Sequence, residues 1–125
     1  MRRAALLGLA LAFVAGCAGD ATSPSVSLNG TYSLRSIDGY NLPYTFTSGI
    51  TLTNDMLTLN TDGTYVDVST YSNAQSSSRS GYFTSVNGSA VTLTDQSSGL
   101  TYQASLSGSV LTEIVNGYTQ AYLKN

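Results

Sequence analysis

Histidine and tryptophan are absent from the sequence, cysteine occurs once, and charged residues make up only 10% of the 125 positions. Without histidine there is no imidazole for acid–base or nucleophilic relay chemistry. One cysteine permits neither an internal disulfide framework nor a Cys/His zinc site. Long helical patterning is missing as well: beyond the first sixteen residues no stretch repeats its apolar positions at 3.6-residue spacing. In place of these stand 19 serines, 16 threonines, 12 glycines and nine tyrosines. Every Ser and Thr lies at or after position 22. Such a chain is either a β-protein with polar outer faces or a disordered tract.

The N-terminus reads as a leader. Met1-Arg2-Arg3 is basic and Ala4–Val14 is a run of small and apolar residues. Eleven residues fall short of the roughly 20 needed to cross a bilayer as a helix, and the arrangement is that of a secretory signal. Val14-Ala15-Gly16-Cys17 resembles the lipobox of bacterial lipoproteins. That resemblance implies a signal peptide over residues 1–16, cleavage before Cys17, and acylation of its sulfur and new amino group. The acyl chains would fix the protein to a membrane, each buried methylene adding about 0.8 kcal/mol of affinity. The resemblance also assigns the position after the cysteine an address: Ala18, where an Asp would retain the protein in the inner membrane, implies the outer membrane of a bacterial envelope. Residues 17–28 contain Pro24 and small polar residues and read as a flexible tether reaching about 40 Å when extended.

From position 29 to 125 the pattern has period two with glycine punctuation, which argues for one domain. Leu100, Tyr102, Ala104 and Leu106 alternate with polar residues, as do Val91 and Leu93, and Leu57 and Leu59. Asp62-Gly63, Asn87-Gly88, Ser98-Gly99, Ser107-Gly108 and Asn116-Gly117 are turn pairs suited to positive φ. Strands are expected near 30–37, 43–47, 50–54, 56–60, 64–71, 79–86, 89–95, 100–106, 109–115 and 118–124, with Ser72–Ser78 as a mobile loop. Hairpin-length connections make this an all-β antiparallel up-and-down meander, and curling into a small barrel removes its edges. A two-sheet β-sandwich is the alternative. With no disulfide or metal to help, a domain this small is expected to fill its barrel.

Two segments resemble lipocalins and the lipocalin-like bacterial lipoproteins. Gly30-Thr31-Tyr32-Ser33-Leu34 resembles their Gly-x-Trp opening strand, with Tyr32 where Trp is usual. Leu57-Thr58-Leu59-Asn60-Thr61-Asp62-Gly63-Thr64-Tyr65 resembles a hairpin common in the small lipoproteins. The resemblance implies a lipocalin-like barrel and the binding of a small hydrophobic or amphipathic ligand. Ser36-Ile37-Asp38-Gly39-Tyr40-Asn41-Leu42-Pro43 is similar to the opening of META-type domains.

Past the leader, three basic residues (Arg35, Arg79, Lys124) face seven acidic ones, so nucleic acid is not an expected partner. Asp38, Asp62 and Asp95 stand beside turns, where Asp accepts local backbone hydrogen bonds. Asn60-x-Asp62-Gly63 lacks the other ligands of a calcium loop, and no metal or cofactor is expected. Asp67 lies between Val66 and Val68. The hairpin resemblance, with Leu59 and Tyr65 inside, turns it inward, whereas the cost of burying an unpaired carboxylate favours solvent. Glu113 poses the same choice, and for both the solvated orientation is preferred. No spacing marks a catalytic carboxylate pair, and no His or Lys is in register to activate a serine, so no enzyme activity is expected. Tyr32, Tyr65, Tyr102, Tyr118 and Tyr122, with Asp67, are the candidate ligand-binding residues. The same tyrosines could instead plug the core with their hydroxyls at the rim, and the shortage of Leu, Ile and Phe favours the plug. A membrane partner through Cys17, a small amphipathic ligand at the tyrosines, and the alternative of a filled accessory or protein-interaction domain complete the expectations.

Overall fold

A computed structural model describes residues 27–125. The expected signal peptide, Cys17 and the tether up to residue 26 lie outside them. The described chain is an antiparallel meander of ten strands: β1 (Gly30–Ile37), β2 (Tyr40–Asn41), β3 (Tyr44–Thr45), β4 (Thr51–Leu59), β5 (Thr64–Tyr71), β6 (Ser76–Val86), β7 (Ala90–Asp95), β8 (Thr101–Ser107), β9 (Val110–Val115) and β10 (Tyr118–Lys124). From β4 to β10 each strand pairs with the next, β10 pairs with β1, and β1 pairs with β4. Eight strands therefore close into a barrel, and β2 and β3 extend it as short flaps. Closure runs through Gly30↔Leu59, Thr31↔Thr58, Tyr32↔Leu57 and Ser33↔Met56. The expected small up-and-down barrel is the observed architecture, the one lipocalins also use, and the sandwich is not.

Turn chemistry sets the register. Asn87, Asn116 and the glycines 63, 88, 99, 108 and 117 all have positive φ, as the turn pairs require. Asp62 Oδ1 accepts from the backbone N–H (3.0 Å) and hydroxyl (2.6 Å) of Thr64, and Asp95 Oδ1 accepts from the same two groups of Ser97, both at 2.8 Å. Asp38 differs: its carboxylate accepts from the Thr119 N–H at 2.8 Å, tying the β1–β2 turn to β10.

Two expectations about strand limits are corrected. The strands placed at 50–54 and 56–60 are one strand, β4, with an irregularity in its pairing to β5 between Leu52 and Asn54. The polar Asn54-Asp55 pair looks like a break, but Asp55 faces an interior that receives it. The loop placed over Ser72–Ser78 is only a turn at 72–75, because Ser76, Ser77 and Ser78 pair with Thr70, Ser69 and Val68. A serine run has no apolar alternation to betray a strand, yet its backbone satisfies the ladder like any other.

The interior divides along the barrel axis. At the end holding the Asp62-Gly63, Asn87-Gly88 and Ser107-Gly108 turns, Tyr32, Leu57, Leu59, Tyr65, Val91, Leu93 and Leu111 are almost wholly buried. Leu28, assigned to the tether by the sequence, packs against this core. Its carbonyl accepts from the Tyr32 hydroxyl at 2.6 Å, and Ser27 O accepts from Lys124 Nζ. We call this the closed end. Midway along β6, Gly81 sets how closely two strands approach: a Cβ there would lie 1.9 Å from Thr94 O, so β7 can approach β6 only where no side chain stands.

Candidate functional site

The opposite end of the barrel holds carboxyls. Alternation from Leu59 and Leu57 along β4 brings Asp55 inside, and β5 brings Asp67 inside from Tyr65. Leu57 lies across from Asp67, and Asp55 across from Ser69. The next hairpin sets Arg79 across from Asp67. Across the barrel β9 supplies Glu113, paired with Gln120 of β10. Asp55, Asp67 and Glu113 are 3%, 4% and 0% exposed. The solvated orientations expected for Asp67 and Glu113 are therefore overturned. The penalty invoked for them applies to an unpaired carboxylate, and neither is unpaired.

Arg79 supplies the counter-charge. Its Nε donates to Asp67 Oδ2 at 2.9 Å, and its Nη2 lies 2.8 and 2.7 Å from the two oxygens of Glu113. The guanidinium carbon sits 4.6 Å from the Tyr102 ring centroid and 5.8 Å from that of Tyr65, which places the cation against two aromatic faces. Burial works against the charge of Arg79, but Glu113 and then Asp67 outweigh it, raising its pKa above the ordinary arginine value. Glu113 is pushed up to about 7 by burial, with Arg79 holding it back.

Asp55 has no such partner. Its Oδ2 accepts from Ser69 Oγ at 2.6 Å, and its Oδ1 lies 3.1 Å from the Tyr122 hydroxyl, which is itself 3.0 Å from Gln120 Oε1. Burial, reinforced by the adjacent Asp67 carboxyl within hydrogen-bonding reach, lifts Asp55 to about 9. Two carboxyls in contact in a desolvated site hold one proton more readily than none. Tyr122 is also driven well above the usual phenol value, by burial first and then by the carboxyls of Asp67, Asp55 and Glu113.

Above these groups a cavity of about 370 Å³ opens between the 46–50 loop and the β9–β10 turn. Asp55, Asp67, Ser69, Arg79 and Gln120 form its polar floor, and Phe46, Tyr71 and Tyr118 its aromatic wall. The wall is braced by edge-to-face contacts: Phe46 lies 5.0 Å from Tyr44 and 5.4 Å from Tyr118, centroid to centroid. Among the described residues, Arg79 is the one basic side chain lining this cavity. No set of three or more metal-ligating side chains is arranged to hold an ion among them.

Of the six residues singled out from the sequence, Asp67 and Tyr118 line the cavity. Tyr32, Tyr65 and Tyr122 are fully buried, and Tyr102 lies beneath the guanidinium. Asp55, Ser69, Arg79 and Gln120 were not singled out. The signal that points to Asp55 and Arg79 is register: counting outward from the Asp62-Gly63 turn sets Asp55 on the face of Leu57 and Leu59, and the next hairpin sets Arg79 opposite Asp67. No protein-family model, curated protein or solved structure matches the chain.

Proposed function

We propose that this chain is a lipid-anchored, non-catalytic protein of a bacterial envelope whose barrel binds a small amphipathic ligand at its open end. The observation that carries the reading is the cavity: about 370 Å³ with an aromatic wall over a polar floor, within the ~300–1,000 Å³ range of ligand pockets. Its shape favours an amphipathic molecule over a wholly hydrophobic one, because the deep apolar half of the barrel is filled by its own side chains. Among the described residues the chain enters β1 at the closed end, opposite the cavity.

Native mass spectrometry of the full-length protein purified from its own membranes tests the ligand. A small mass that accompanies the protein and is released on denaturation is expected. An empty protein whose Phe46, Tyr71 and Tyr118 resonances ignore added envelope extract would favour the alternative, a filled accessory domain. The anchor is tested separately: Cys17→Ser should move the protein from the membrane to the soluble fraction.

A further inference from the structure

The floor of the open end is more acidic than its ion pairs account for. Three carboxyls and one guanidinium converge there, and the guanidinium is spent on Asp67 and Glu113. Asp67 Oδ1 is buried and accepts from no donor among the described residues. A carboxylate oxygen in that position costs free energy until something meets it. Two things can: the proton carried by the neighbouring Asp55, or a donor that enters the cavity Asp67 lines and displaces that proton. Arg79 Nη1 also has no partner among the described residues, but it belongs to the guanidinium lying over Tyr102. An anion approaching it would face Asp55, Asp67 and Glu113 as well. The wall contributes Phe46, Tyr71 and Tyr118, whose ring faces attract cations and whose bodies cover apolar carbon.

We infer that the open end is a receptor for a small organic ammonium ion, its N–H groups held by Asp67 and Asp55 and its apolar part resting on Phe46, Tyr71 and Tyr118. The inference rests on the ligand-binding reading above and supplies its chemical class. It carries a consequence for protons. Asp55 faces Asp67 and Ser69 from β5, Tyr122 and Gln120 from β10, and, further round the floor, Arg79 from β6 and Glu113 from β9. In this company the empty site stores a proton on Asp55. A bound ammonium replaces that proton as the positive charge between the carboxyls, so binding releases it to solvent, and affinity rises with pH until Asp55 is ionised without help.

The test uses the detergent-solubilised full chain and three probes of one shape: 2-phenylethylammonium, 2-phenylethanol and phenylacetate. At about pH 8, between the values at which Glu113 and Asp55 lose their protons, calorimetry in two buffers counts protons while the Asn116 and Gln120 amide resonances report position. The ammonium should bind at least about tenfold more tightly than the alcohol, shift both residues, and release a proton. Asp67→Asn should lose that binding. Asp55→Asn should bind without releasing a proton, and this decides the matter if Asp67→Asn fails to fold. Equal or stronger shifts by the alcohol or phenylacetate would overturn the cation assignment while leaving a ligand site in place. Silence from all three probes would overturn it too, with the co-purified mass then deciding on the pocket alone. Identical proton counts for wild type and Asp55→Asn would remove Asp55 from the exchange.

Discussion

The two ends of the barrel are built from the same strands and stabilised by opposite means. At the closed end, Tyr32, Leu59, Tyr65, Val91, Leu93 and Leu111 fill the space, and the packing depends little on pH. At the open end the inward positions of β4, β5, β6 and β9 include Asp55, Asp67, Arg79 and Glu113. One cation holds two carboxylates there, and a third carboxyl remains neutral because it cannot afford to ionise. The filled half needs only to exclude water. The polar half is stable only while its proton and charge count is right, which leaves it responsive to what enters.

The largest expected effect separates the halves directly. Arg79→Met keeps an apolar stem of similar length but leaves Asp67 and Glu113 facing each other without a cation. Breaking a buried pair in this way costs about 3–5 kcal/mol, read as a shift in urea midpoint at about pH 8. The loss should shrink below about pH 7, as Glu113 takes up its proton. Leu93→Ala at the closed end removes a wholly buried side chain and should cost about 2–5 kcal/mol, with no such pH dependence. If both variants lose the same amount at every pH, the open end is not electrostatically distinct.

Gly81→Ala comes next, at about 1–3 kcal/mol. The added methyl would strike the Thr94 carbonyl oxygen, a backbone atom that cannot rotate away. β6 and β7 must separate to admit it, so reduced amide protection should appear on both strands and leave β9 and β10 unaffected.

The wild-type pH profile follows from the carboxyls. Asp55 is raised in the fold from 3.8 to about 9, and Glu113 from 4.5 to about 7. Each raised group stabilises fully below its unfolded value, and that contribution is lost as pH rises toward the folded value. Stability should therefore fall from about pH 4.5 upward, most steeply to about pH 7 where both groups contribute, and continue falling to about pH 9 through Asp55 alone. Asp62 and Asp95, lowered by hydrogen bonds from Thr64 and Ser97, act in the opposite sense. Their share is present above 3.8 and lost as pH drops further. A maximum on the mildly acid side is the expected outcome, and Asp55→Asn should flatten the limb between about 7 and 9.

The comparison between the ends also marks how far the sequence could be read. The closed end was legible because its chemistry is local: Leu57-x-Leu59 alternation, a turn pair at Asp62-Gly63, and apolar residues that have one place to go. The barrel followed from turn spacing and from the cost of open edges. The open end was not legible because each of its residues is sensible only beside the others. Asp67 alone belongs in water; with Arg79 twelve positions on and Glu113 across the barrel, it belongs inside. Asp55 was hidden for a related reason, since a polar pair inside a strand looks like a strand end. Pairwise register would have placed Asp55 and Arg79, but Glu113 reaches them only through barrel closure, which no local pattern encodes.

The smallest expected effects come from removing one hydroxyl at each end. Tyr32→Phe deletes the 2.6 Å hydrogen bond to the Leu28 carbonyl. The ring still fills its space, so the loss should be about 0.5–1.5 kcal/mol and the same at every pH. Tyr122→Phe takes away the hydroxyl beside Asp55 Oδ1 and Gln120 Oε1. While Asp55 is protonated its own O–H can reorganise toward a neighbouring acceptor, so the loss at about pH 5 should match that of Tyr32→Phe. Once Asp55 ionises, the hydroxyl would have been a donor to a buried carboxylate, a bond roughly twice as strong. The Tyr122→Phe loss should therefore grow as pH rises toward 9, and the Asp55 titration should move up in the variant. Carboxyl carbon shifts followed by NMR across that range would show it, and coincident pH profiles for the two tyrosine variants would mean that Asp55 does not draw on the Tyr122 hydroxyl.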